Sequence, residues 1–278
     1  MVVGPGAGTR QSRPWIVSAE LWSLIEPLLP EPAPKLVEGR PRVPDRQALC
    51  GILFVLHTGI QWEYLSQELG LGSGMTCWRR LAAWDEAGVW DQRQLVLLRK
   101  LRAAKQLDWS RAVIDSSHVR AARPGPKSRP SPVDRARPGS KHHVITDAQG
   151  IPLAVSLTGG NRNDVTQLLP LIDKIPAVAG VVGRPRLRPD ALLADRAYDH
   201  DKYRRLLRDR GIRPVIAERG VDHGSGLGTL HWVVERTITW LHGSRRLRIR
   251  WERRDDIHEA FLGLATCLIT PRHVQRPC

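Results

Sequence analysis

The feature that most constrains this chain is a change of period at Asp108. Before that residue, apolar side chains recur at helical spacing; after it they gather in short runs of strand length between turn residues. Ser18 caps a run in which Leu21, Trp22, Ile25, Leu28 and Leu29 share one face until Pro30 stops it. A proline-rich connector, Glu31 to Pro44, leads to a second helix from Asp45 to His57. Trp62–Gly70 and Met75–Gly88 read as two helices about a turn carrying Gly70, Gly72 and Gly74, with Arg79 and Arg80 on the second. That pair is equally a helix-turn-helix or an ordinary helical hairpin. A helix from Gln92 to Lys105 closes the block.

Beyond Asp108 the order is three strands, helix, strand, helix, strand, helix. The strands are Ala112–Asp115, His142–Thr146, Ile151–Leu157, Ala191–Asp195 and Arg213–Ala217; the helices are Asp164–Ile175, Asp201–Arg210 and Leu230–His242. This α/β order predicts a five-stranded mixed sheet with flanking helices, in the ribonuclease-H-like layout. The expected organisation is a loose tail (1–14), an all-helical, helix-turn-helix-like domain (15–107) and an α/β domain (108–278).

Charge narrows the partner. The 278 residues carry 43 Lys+Arg against 28 Asp+Glu, a formal net charge of +15. Only seven of the basic residues are lysine, a bias that a GC-rich genome explains; the surplus itself points to a polyanion, nucleic acid before an anionic membrane surface. The longest apolar run, Gly51 to Leu56, is far short of the roughly 18 residues of a membrane span, and Met1 to Arg10 lacks the plan of a secretory signal. Cys50, Cys77, Cys267 and Cys278 have no metal-ligand rhythm and suit a reducing compartment. A reducing intracellular compartment is therefore expected.

One segment concentrates the charge. Residues 120–141, between the first two strands, hold Arg120, Arg123, Lys127, Arg129, Arg135, Arg137 and Lys141 against the single Asp134. The segment reads as a long basic loop, a nucleic-acid clamp in preference to a merely solvated one.

Three carboxylates stand at element ends. Asp115 and Asp195 each close an apolar strand, and Glu235 sits one position off the apolar line Leu230, Val234, Ile238 and Leu241, beside His231, Thr239 and His242. Phosphodiester chemistry by in-line attack uses two divalent cations roughly 3.5–4 Å apart, and hard cations need carboxylate oxygens. Equally, among 28 acids some triple always falls at element ends, where Asp often serves only as a cap. Competing sites are weaker. Ser117 and His118 point to opposite faces of a strand, as do His142 and His143, whereas Asp115 and Ser117 share one. Gly224–Gly228 lacks the strand that a dinucleotide loop requires. Trp22, Trp78 and Trp84 fall at core spacing.

At these residues the chain resembles a known family, the bacterial insertion-sequence transposases of family five, within the four/five group of DDE transposases. The resemblance runs from Trp15 to Ile269. Its motifs include Gly51-Ile-Leu-Phe-Val-Leu…Gln-Trp62, Gly74-Met-Thr-Cys-Trp-Arg-Arg-Leu81, Val113-Ile-Asp-Ser-Ser-His-Val119, Gly139-Ser-Lys-His-His143, Leu157-Thr-Gly-Gly-Asn-Arg-Asn-Asp164, Ala194-Asp-Arg-Ala-Tyr-Asp199 and Trp232-Val-Val-Glu-Arg-Thr237. It implies a helical region that binds terminal inverted repeats ahead of a catalytic domain for metal-dependent DNA cleavage and strand transfer. It assigns catalysis and metal binding to Asp115, Asp195 and Glu235, with two Mg²⁺ ions that Mn²⁺ can replace. Double-stranded DNA is the implied partner, contacted by Arg79, Arg80, the basic residues of 120–141 and Arg236, in a homodimer or larger assembly on the DNA, and the implied location is the bacterial cytoplasm, at the nucleoid. His231 and His242 replace basic residues of the family pattern, and Ala197 replaces a glycine, a strained exchange if that position has positive φ. The alternatives are an inactive or domesticated copy that only binds DNA, and a stand-alone metal-dependent nuclease.

Overall fold

In the computed structural model, which describes residues 13–32, 41–220 and 228–274, Ser18 caps helix α1 (Ala19–Ile25) as the sequence requires: its Oγ accepts the Leu21 amide at 3.1 Å. Expectations for residues 1–12, 33–40, 221–227 and 275–278, Cys278 among them, lie outside the described residues. Helices α2 (Asp45–Thr58), α3 (Gly74–Glu86) and α4 (Val89–Ala103) complete the helical block. Gly59 at φ +76° ends α2 in the left-handed conformation that glycine adopts without strain.

Trp62–Gly70, expected as one helix, forms two 3₁₀ turns, Trp62–Tyr64 and Gln67–Leu69. Leu65 and Ser66 between them are extended, and Ser66 caps the second turn by accepting the Glu68 amide. The two turns bring the chain back over the start of α3. A β-carbon on Gly74 would lie 1.8 Å from the Trp62 carbonyl oxygen, so only glycine fits there.

The sheet runs β1 (Ala112–Ala121), β2 (Arg129–Pro130), β3 (Pro138–Asp147), β4 (Pro152–Gly159), β5 (Ala191–Ala194), β6 (Arg213–Ile216) and β7 (Ile249–Arg250). The five long strands are those expected; β2 and β7 are two-residue additions. The strand order is β2-β3-β1-β5-β6, with β4 beside β3 and β7 beside β1. β1, β3 and β4 pair antiparallel, while β5 and β6 run parallel to β1, so the sheet is mixed.

Alternation along the strands divides the core in two. Val113, Val144 and Leu193 face one cluster with α2, α3, α7 (Gly228–His242) and α8 (Asp255–Val274); Ala112, Ile114, Ile145 and Leu192 face another with α5 (Leu168–Asp173) and α6 (Asp201–Asp209). The first cluster is shared: Leu49, Leu53, Leu81 and Trp90 of the helical block lie in it with Val113 of the sheet and Phe261 and Ala265 of α8. α8 packs on α3, α4, α7 and β4, and no sequence pattern above anticipates it. Trp84 is buried, and Trp22 and Trp78 pack against the same cluster, as their spacing predicted.

The reading of 120–141 as a loop is corrected. Antiparallel pairing continues from Asp115↔Val144 through Arg120↔Gly139, so Arg120 lies in β1 and Lys141 in β3, and β2 extends the ribbon. The connection shrinks to residues 122–137, because the hydrogen-bonding register outruns the apolar pattern that marks a buried strand. No described helix is long and apolar enough to cross a membrane.

Candidate metal and DNA site

The sheet register brings the two aspartates together. β1 and β5 are parallel neighbours with Ala112↔Leu192 and Val113↔Leu193 in register. Two residues past the last of these partners come Asp115, within β1, and Asp195, the first residue beyond β5; they are 80 apart in sequence but at neighbouring positions on adjacent strands, whose spacing is about 4.8 Å. Both continue the face of Val113 and Leu193, the side on which α7 packs. Val233, Val234, Thr237, Ile238 and Leu241 are the buried residues of α7, and Glu235 stands on its rim with a 64% exposed side chain.

The carboxylates sense one another. Asp115 is pushed up from an ordinary value near 3.8 to about 6, first by burial, with Asp195 and Glu235 adding like-charge repulsion; the Ser116 amide and His231 oppose the rise. The Ser116 amide donates to Asp115 Oδ1 at 2.7 Å, and the Ala197 amide donates to Asp195 Oδ1 at 2.9 Å, so each carboxylate has one oxygen fixed by backbone. Tyr198 is buried beside them: burial, then Asp164, Asp115 and Asp195, pushes its phenol well above the usual range.

The donor set fits a divalent cation of a particular kind. Among the described residues no three His, Cys, Asp or Glu side chains form a cage able to hold a metal ion. A hard, hydrated ion such as Mg²⁺ does not need one; it is held by one or two carboxylates, its own waters and substrate phosphates. The geometry here is that of a carboxylate pair with an exposed third acid. His231 Nδ1 approaches Glu235 Oε1 at 3.4 Å, while its Nε2 is buried with no hydrogen-bond partner among the described residues. A hydrated cation between the acids would satisfy that nitrogen and relieve the crowding at Asp115.

Ala197 is not strained. It lies in the 3₁₀ turn Arg196–Tyr198 that Asp195 caps, and it is absent from the described residues with positive φ. The strain expected of an exchange for the family's glycine does not arise.

The expected DNA contacts divide. Arg79 is exposed on α3, and Arg123, Arg129, Arg135 and Arg137 are exposed around the β1–β3 connection. Arg123 reaches Gln61 Oε1, and Arg129 bonds the Ser128 carbonyl. Others are committed inside the protein. Arg80 pairs with Asp45 at 2.5 Å, Lys141 with Asp164 at 2.9 Å, and Lys127 with Glu259 at 2.6 Å and Asp255 at 3.3 Å. Arg120 meets Asp134 at 3.4 Å from an exposed position. Arg236 lies 4.5 Å and 5.1 Å over the Trp232 and Trp240 rings and donates to the Gln149 carbonyl. Lys127, Lys141, Arg80 and Arg236 thus tie elements together.

Sequence reasoning missed the polar cluster next to Ser117. Its Oγ lies 3.2 Å from His242 Nε2, which is 3.4 Å from His142 Nδ1; His142 Nε2 is 2.8 Å from His258 Nε2. His143, on the opposite face of β3, bonds Thr158 instead. The shared face of Asp115 and Ser117 was the one legible sign, since His258 and its partner Glu252 belong to a stretch with no anticipated structure.

Comparison with known proteins identifies the family. The family profile described as "Transposase DDE domain" matches residues 109–270, and that described as "Putative transposase of IS4/5 family" matches residues 17–93. The chain is 66% identical over 144 residues to "Putative transposase for insertion sequence element IS402" of Burkholderia cepacia, covering 52% of this chain and 68% of that protein. It is 55% identical over 119 residues to "Insertion element IS402 uncharacterized 16.2 kDa protein" of the same organism, covering 42% and 81%. Among solved structures, the Mos1 strand transfer complex aligns with 88% of this chain and 79% of that one at 10% identity and a TM-score of 0.33, too low to support an argument.

Proposed function

The chain belongs to the Transposase DDE domain family and is a DNA transposase, an enzyme of DNA cleavage and strand transfer, and from that premise we propose that Asp115, Asp195 and Glu235 are its metal-binding catalytic acids. The observation that carries this reading is the β1–β5 register, which sets Asp115 beside Asp195 on the face covered by α7. Divalent metal is general to DDE domains; two Mg²⁺ ions, replaceable by Mn²⁺, are proposed here. When bound, such ions activate the attacking oxygen and stabilise the leaving one.

The protein's own part is positional. Backbone amides fix one oxygen each of Asp115 and Asp195, leaving the other oxygen of each carboxylate for cation or substrate. His231 holds Glu235 from one helical turn away. Water attacks first, to free a 3′-hydroxyl, and that hydroxyl then attacks the target phosphodiester.

DNA binding follows from the family. The finer proposal is that the helical region 15–107 recognises terminal inverted repeats, with the exposed Arg79 of α3 facing DNA. Exposed Arg123, Arg129, Arg135 and Arg137 contact phosphates, adding affinity without sequence information. Joining two element ends requires at least a homodimer on the DNA.

The test is cleavage of a labelled element end by purified protein with Mg²⁺ beside Asp115→Asn. Cleavage by the wild type and none by the variant is expected. No cleavage by the wild type with any divalent metal would overturn the function, and cleavage unaffected by Asp115→Asn would overturn the site.

A further inference from the structure

A buried chain of hydrogen bonds ends two residues from Asp115. It begins at Glu252, whose Oε1 is clamped by Arg246 through Nε at 2.8 Å and Nη2 at 2.5 Å, both side chains only 3% exposed. Burial would raise the Glu252 carboxyl, yet the His258 bond and Arg246 hold it below its usual range, so it is an ionised acceptor.

An ionised carboxylate accepts only, so with one ring proton on each histidine the proton positions along the chain follow. Glu252 Oε2 accepts from His258 Nδ1 at 3.4 Å, which leaves the His258 Nε2 as an acceptor. His142 Nε2 therefore donates to it at 2.8 Å, and His142 Nδ1 is an acceptor in turn. His242 Nε2, which faces that nitrogen at 3.4 Å and Ser117 Oγ at 3.2 Å, must carry a proton. Burial disfavours a second proton on His142 and on His242, and Arg250 near the first and Arg248 near the second add to this. Because His242 Nε2 carries its proton, shared between His142 Nδ1 and Ser117 Oγ, it cannot accept from Ser117, and the Ser117 hydrogen is free to point elsewhere. The Ser117 side chain is half-buried on the face of β1 that carries Asp115.

We infer that Ser117 binds a phosphate oxygen of the DNA beside the carboxylates, with the chain Glu252–His258–His142–His242 holding its hydroxyl as a donor. The inference rests on the proposed function for the identity of the substrate. Ser117 is the DNA contact; the histidines and Glu252 are positioning residues. The alternation that put Asp115 and Ser117 on one face explains why a strand end carries both: the two side chains are about 6.6 Å apart along the strand, close enough to meet one phosphate and its cation.

The test uses the full chain and a duplex carrying the element's own end, with Mg²⁺, under single turnover. Ser117→Ala is expected to slow cleavage about ten- to hundredfold, the worth of a hydrogen bond to a charged group. Ser117→Thr, which keeps the hydroxyl, is expected to restore cleavage to within about threefold. Cleavage by Ser117→Ala at the wild-type rate, or equal loss in the Ala and Thr variants, would overturn the assignment. Nitrogen-15 histidine spectra of the wild type provide a readout independent of activity. His258 should be protonated at Nδ1, and His142 and His242 at Nε2; the reverse tautomers would refute the chain. Absence of cleavage by the wild type would instead refute the proposed function, and the tautomers would still decide the hydrogen-bond direction.

Discussion

Replacing Asp115 by Asn should make the metal-free protein more stable at neutral pH while abolishing cleavage. Burial and the nearby acids push the Asp115 carboxyl from about 3.8 to about 6. A carboxyl whose folded value lies above its unfolded one binds its proton more tightly when folded. Its contribution is therefore fully present below about pH 4 and is lost as the pH rises to about 6. Above that the charge is a penalty, and the gap corresponds to about 3 kcal/mol. Asn keeps an oxygen to accept the Ser116 amide, so the exchange removes the charge and little else. Urea unfolding in chelator at pH 8 should show the variant ahead by up to about 3 kcal/mol, with the advantage shrinking by pH 4. Adding Mg²⁺ at pH 8 should raise the midpoint of the wild type more than that of the variant, because the ion binds the charge that Asn lacks. A variant less stable than the wild type at pH 8, or an advantage that does not change with pH, would refute the reasoning.

Three further outcomes are expected. Arg246→Ala strands the ionised Glu252 in the core and should cost roughly 3–5 kcal/mol in urea unfolding; an unchanged midpoint would show that the pair is not closed. Gly74→Ala drives a β-carbon into the Trp62 carbonyl and should cost at least about 2 kcal/mol in the same assay. The double change Arg135→Ala and Arg137→Ala should flatten the dependence of log Kd on log salt by about 0.9 for each phosphate that is no longer neutralised, alike on element and random duplexes. Lys127→Ala should leave that slope unchanged, because its ammonium is paired with Glu259 and Asp255.

What could be read from the residues follows from how local each signal is. The five long strands announced themselves because each is a short apolar run closed by a turn residue, and Asp115 and Asp195 were visible as the ends of two such runs. Their adjacency was not visible, since it depends on which strands pair and in what register. α8 escaped notice because Ile257, Ala260, Phe261, Leu262, Leu264, Ala265 and Ile269 are buried around much of its circumference, which leaves no single apolar stripe. Trp62–Gly70 has the composition of a helix, but Ser66 competes for backbone amides and breaks it into two turns. The basic segment misleads for the opposite reason: charge shows where cations are, not which of them already have a carboxylate. The Ser117 cluster was beyond reach, joining residues 100 to 125 positions apart across β1, β3 and α7.

The sharing of one core by α4 and α8 has a consequence for synthesis. Cys267 Sγ bonds the Trp90 carbonyl and Thr270 the Gln94 side chain, pairings that span 177 and 176 residues. A ribosome adding about 5–20 residues per second leaves the apolar face of the helical block without its cover for on the order of ten seconds. Such distant closures also slow folding. The nascent chain thus passes through an interval with Leu97 and Trp90 uncovered, when it is most exposed to aggregation and to proteases, and a message broken before codon 255 would leave that face open permanently.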